Sequence, residues 1–190
     1  MKNMIKYFLV LALGIVQSQA ADLFKADPVH SNIEFTVRHL GISSVSGKFT
    51  EFSADIWVDE VHPENSSVDV TIQVSSIDTD NERRDAHLRS KDFFDVEEFP
   101  TITFKSTRVD KEGDGYVLHG NLTMHGVTQE IAFPFTADGP KELGQFGIRL
   151  GSEANLSIKR SDYDISFGLG ELAVSDEVKI NLSISAVKEG

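Results

Sequence analysis

Strict alternation of apolar and polar residues runs through most of this chain, and it limits the fold more than any other feature. In NIEFTVRHL, Asn32 to Leu40, the residues Ile33, Phe35, Val37 and His39 fall on one face, with Asn32, Glu34, Thr36 and Arg38 on the other. Such a period of two marks a half-buried strand. The pattern returns from Val45 to Asp59, where Phe52, Ala54, Ile56 and Val58 keep phase. Phe49 and Phe52 are out of step with each other, and a bulge near Thr50 or Glu51 would restore them to one side. Ser67 to Ile77, Thr101 to Val109, Tyr116 to Met124, Val127 to Phe135, Phe146 to Ile158 and Val178 to Ala186 repeat it, giving about eight strands.

Most connections are too short for a parallel crossover, so the sheet is antiparallel. No set of amphipathic helices is available to cover its apolar face. The sheet must then close on itself, and eight strands make a barrel that is either filled by side chains or holds one small ligand. The expected fold is an all-β, antiparallel eight-stranded barrel with one short crossover helix.

That helix belongs to the densest charged stretch, RRDAHLRSKDFFD, Arg83 to Asp95. Thr79 followed by Glu82 reads as a capping box, with the helix starting at Asp80. Asp85 and Arg89, at i and i+4, form an expected pair. Leu88 offers the one firm apolar contact, so the helix should lie on a surface. If it rims a mouth, Arg83, Arg84, His87 or Arg89 could face a polar headgroup. Of the adjacent Phe93 and Phe94, one would face the cavity and the other would cover its lip.

The first twenty residues, MKNMIKYFLVLALGIVQSQA, combine two lysines, a short apolar run and small residues at Ser18 and Ala20. This reads as a cleavable secretory leader over 1–20, with one domain over 21–190. The apolar run is shorter than the roughly 20 residues that span a bilayer, and no later run reaches that length, so no integral membrane segment is expected in the mature chain. The formal charge is −12, and losing Lys2 and Lys6 takes it to −14. Such a surface repels nucleic acid and anionic headgroups at long range. The absence of cysteine excludes disulfides and thiolate chemistry.

Six histidines occur, at 30, 39, 62, 87, 119 and 125, in no metal-binding spacing. His119 and His125 lie about 20 Å apart along one strand. No nucleophile elbow, phosphate loop or dinucleotide fingerprint is present. The sequence therefore supplies no catalytic or metal candidates and no requirement for a cofactor.

Three segments, HSNIEFTVRHLGISSVSGKF, RRDAHLRSKDFFDVEEFPTITFKS and GNLTMHGVTQEI, resemble the YceI-like, polyisoprenoid-binding family. The resemblance implies a lipocalin-like barrel in a bacterial periplasm, holding an isoprenoid quinone, polyisoprenoid or related long-chain lipid. It also implies that a homodimer is an option, since some members dimerise.

The residues themselves bear on a lipid cavity. Thirteen phenylalanines stand against one tryptophan. The expected inner wall comprises Phe35, Val37 and His39, then Phe49 and Phe52, then Phe104, Phe133 and Phe135, and finally Phe146 and Ile148. Burying each CH₂ contributes roughly 0.8 kcal/mol. A twenty-carbon tail would gain roughly 16 kcal/mol gross, against ordering costs of about 4–15 kcal/mol. The reading is a periplasmic carrier that sequesters a long-chain apolar lipid. Its alternatives are an interaction protein with a solid barrel core, for which the out-of-phase Trp57 would mark an outer contact surface, and a lipid-modifying enzyme.

Overall fold

The computed structural model describes residues 21–169 and 173–190. The leader read over 1–20 lies outside the described residues. Eleven strands form a single antiparallel sheet: β1 Asp22–Ala26, β2 Asn32–His39, β3 Ser43–Phe49, β4 Phe52–Val58, β5 Ser67–Gln73, β6 Ile77–Asp78, β7 Thr101–Glu112, β8 Gly115–Met124, β9 Val127–Glu142, β10 Ile148–Lys159 and β11 Val174–Lys188.

These strands make eight staves. β1 and β2 lie end to end along β11, pairing with its residues 186–188 and 174–183 respectively. β3 and β4 face them as one broken strand, paired with β2 and β1. β5 and β6 follow against β4 and β3. From there β7 to β11 run as a simple meander, and β11 closes the ring on the first stave. The result is the expected closed eight-stranded antiparallel barrel.

The breaks within staves have local causes. Between β1 and β2 the Ser31 hydroxyl replaces main-chain pairing: it donates to the Ser185 carbonyl at 3.1 Å and accepts from the Ser185 N–H at 2.9 Å. The alternation marks this stave only from Asn32 and does not reveal β1. Its DLFKA places Leu23 and Phe24 side by side and shows no alternation, yet Phe24 is fully buried. Between β3 and β4 the Thr50 N–H leaves the ladder and donates to the Ser76 carbonyl at 3.2 Å. This is the expected irregularity, and it brings Phe49 and Phe52 to the same side.

Among the described residues one α-helix, α1 Glu82–Leu88, crosses one end of the barrel between β6 and β7. Its start differs from the capping-box expectation. Asn81 is the cap, its side chain accepting from the Arg84 N–H at 3.0 Å. Thr79 lies one turn outside and is occupied by Asp85, whose carboxylate accepts from the Thr79 N–H at 3.0 Å and hydroxyl at 2.5 Å. Asp85 is thus buried and turned away from Arg89, so the expected i, i+4 pair does not form. Arg89 instead donates to the carbonyls of Ser75 and Ile77, at 2.9 and 2.7 Å, and ties the helix to the strand before it.

Candidate functional site: an apolar cavity along the barrel axis

Inner-face side chains from every stave surround a cavity of about 740 Å³. This lies within the roughly 300–1,000 Å³ range of small-molecule sites. The twelve residues of β10 span about 40 Å along the strand, and a barrel tilt of 35–45° leaves roughly 30 Å along the axis. The lining is overwhelmingly aliphatic and aromatic. Val68, Val70 and Ile72 contribute from β5, Leu118 and Leu122 from β8, and Ala154, Leu156 and Ile158 from β10. The solid-core alternative does not describe this interior.

Most of the sequence-derived wall borders the cavity: Phe35, Val37, His39, Phe49, Phe52, Phe104, Phe133 and Phe135 all do. Phe104 and Phe133 meet with ring centroids 5.8 Å apart, as do Phe35 and Phe49. Two residues are corrections. Phe146 sits in a 3₁₀ turn, Gly144–Phe146, and is 61% exposed. The alternation does not reach back past Gly147, whose φ of 74° turns the chain before β10 begins. Ile148 packs beyond the cavity, against the buried cluster of Phe24, Leu150 and Ala186.

Phe93 and Phe94 both border the cavity, which differs from one facing in and one covering the lip. They lie in the turns after α1, not on a strand, so adjacent side chains need not point to opposite faces. Phe94 meets Phe49 edge-on at 6.1 Å. Phe93 joins His87 and Phe167 in a three-ring cluster with centroids 5.1–5.3 Å apart.

The proposed headgroup residues divide. Arg84 and His87 border the cavity. Arg84 is partly committed, donating through Nε to the Thr79 hydroxyl at 2.7 Å and through a terminal nitrogen to the Thr79 carbonyl at 2.5 Å. His87 Nε2 lies 2.9 Å from an Asp92 carboxylate oxygen. Arg83 and Arg89 are corrections: neither lines the cavity. Arg83 points outward from an exposed helical position, and Arg89 is used to anchor the helix.

Sequence reasoning missed Arg160. It is buried and borders the cavity. Its guanidinium donates to the carbonyls of Ser175, Ile165, Phe167 and Val174, at 2.9–3.1 Å. Burial pulls its pKa below the usual arginine value, opposed by the nearby Asp176. A lone arginine at a strand end carries no signal of such a role. Polar groups are unevenly placed along the cavity. His39, Thr79, Arg84, His87 and Arg160 gather at the helix end, whereas Asp59, Glu60, Ser66 and Ser67 lie at the opposite end. Among the described residues no cluster of three or more His, Asp or Glu side chains is placed to hold a metal ion, and no helix is long and apolar enough to cross a membrane.

Residues 24–186 match the YceI-like domain. A UPF0312 protein of Yersinia pestis (strain Pestoides F) is 39% identical over 189 residues, covering 96% of this chain and 97% of the relative. Another, from Yersinia enterocolitica, is 41% identical over 159 residues, covering 84% and 82%. Among solved structures, Burkholderia cenocepacia BcnA has a TM-score of 0.76 at 26% identity, over 85% of this chain and 99% of that one. The Campylobacter jejuni YCEI protein has a TM-score of 0.72 at 28% identity, over 98% and 99%. A Saccharophagus degradans domain described as polyisoprenoid-binding shares the fold, with a TM-score of 0.69 at 16% identity, over 89% and 99%.

Proposed function

Because the chain belongs to the YceI-like domain family, and because its barrel is hollow, we propose that it binds and sequesters a long-chain apolar lipid. The observation that carries the reading is the cavity of about 740 Å³ walled by aliphatic and aromatic side chains. Water gains little there, whereas hydrocarbon gains roughly 0.8 kcal/mol per CH₂. An isoprenoid quinone, a polyisoprenoid and a fatty-acyl lipid all offer such a tail, and the description of the Saccharophagus degradans domain supports keeping isoprenoids among them.

In this reading the tail runs along the axis and the polar head rests at the helix end. His39, Arg84 and His87 supply donors there suited to a quinone oxygen, carboxylate or phosphate. The protein acts by burial and not by bond-making, with no cofactor required. The leader-like 1–20 segment supports export, and the periplasm is the proposed compartment. A homodimer is compatible with carrying and is checked by light scattering.

Native mass spectrometry of protein recovered from its own host tests the reading. The expected spectrum contains a bound species of defined lipid mass, released on unfolding. Repeated recovery of lipid-free protein that takes up neither added quinone nor acyl probe would contradict it.

A further inference from the structure

β9 and β10 are sixteen and twelve residues long, yet their ladder runs only from Ile148↔Glu142 to Ala154↔Phe135. Towards the helix end, residues 127–134 and 155–159 carry no ladder between them among the described residues. On their far sides the same residues stay paired, β9 to β8 and β10 to β11. Pro134 stands where the ladder stops, and it has no N–H to offer a neighbouring strand.

A groove of about 540 Å³ lies in the gap, and Ile131 and Ile158 border both it and the axial cavity. Side chains, and not a hydrogen-bonded backbone, form the wall at this place. The outer end of the gap is held by side-chain latches. Gln129 Nε2 donates to the Asp162 carbonyl at 2.9 Å, and His125 Nδ1 lies 3.1 Å from the Tyr163 carbonyl.

We propose that this β9–β10 seam is a lateral portal through which the hydrocarbon tail of an amphiphile enters and leaves the barrel. The inference rests on the lipid-binding reading and specifies its route. Parting any fully laddered pair of staves would break consecutive main-chain hydrogen bonds, whereas parting this seam breaks two side-chain latches and moves two isoleucines. The helix end is a poorer route: Phe93 is buried there against His87 and Phe167, and Arg160 pins the 160–167 segment. The outer groove also suits a passing amphiphile, because Lys159, Asp162, Asp176 and Glu177 keep a polar head hydrated while the tail slides inward.

The chain contains no cysteine, so a pair placed across the seam is unique. Glu130→Cys with Ser157→Cys, both at exposed positions, is bridged by a short bismaleimide, and uptake of cis-parinaric acid is followed by stopped-flow fluorescence. The bridged protein should fill at least about tenfold more slowly than the unbridged double variant and reach the same saturation. Gln129→Ala, which removes one of the two latches, should fill about fivefold faster, the factor for one ordinary hydrogen bond. Equal rates with and without the bridge overturn the portal and leave lipid binding standing. Lower saturation in the bridged protein also overturns it, since the seam would then be part of the binding space. Failure of the unmodified protein to bind the probe at all removes the lipid-binding reading and the portal with it.

Discussion

Gly47 and Gly120 show how single residues shape the cavity. A Cβ on Gly47 would lie 2.5 Å from Phe35 Cζ, and one on Gly120 would strike the Phe104 ring. Each glycine lets an aromatic ring lie flat against the wall. Gly47→Ala should therefore drive Phe35 towards the lumen and cost about 1–3 kcal/mol through overpacking, read by urea denaturation and by reduced probe capacity. The Tyr163 hydroxyl is buried with no hydrogen-bond partner, and burial, aided by Asp162, pushes its pKa up to about 12. Tyr163→Phe should leave stability unchanged or raise it, because the native hydroxyl loses its water without replacement. Asp27 behaves oppositely: the Arg149 guanidinium, then His30, hold its pKa down from 3.8 to about 2. Its stabilisation is full above about pH 4 and is lost as pH falls towards about 2. Acid unfolding of Asp27→Asn should be less steep in that window. Inward phenylalanines were legible from alternation, because a period of two reports which face a side chain takes. Gly47 was not, since nothing in the local pattern says that a cross-strand ring lies over it.

At the scale of elements, the long strands declared themselves and the short or irregular pieces did not. β7 to β11 each extend the alternation far enough to fix their face. β1 is five residues with two adjacent apolar side chains, and only its partners β4 and β11 make it a strand. The helix was visible from its charges, but its cap was displaced from Thr79 to Asn81, because burial of Asp85 draws Thr79 into a tertiary contact that sequence spacing does not reveal. Asn81→Ala should cost about 1 kcal/mol. Arg160 holds the segment from 160 to 167 against the start of β11 through four carbonyls. Arg160→Ala leaves these acceptors without their donor and should cost at least about 2 kcal/mol. Hydrogen exchange should show the loss concentrated in that segment and at 174–176.

For the whole molecule, β11 closes the sheet on its first stave while the β9–β10 seam stays open towards the helix end, and an acidic exterior surrounds an apolar interior. The barrel was legible because eight amphipathic staves without covering helices have few other ways to bury one face. Its hollowness was not, since phenylalanine fills a core as readily as it lines a cavity. Only the relative placement of opposite walls decides between them, and that placement leaves about 740 Å³. The central claim is that this space takes up hydrocarbon. Titration calorimetry with a series of saturated fatty acids differing in chain length tests it most directly. Affinity should rise about fourfold with each added CH₂, the equivalent of roughly 0.8 kcal/mol, until the tail fills the cavity and the gain stops. Affinity that is absent, or that does not depend on chain length, would contradict the account.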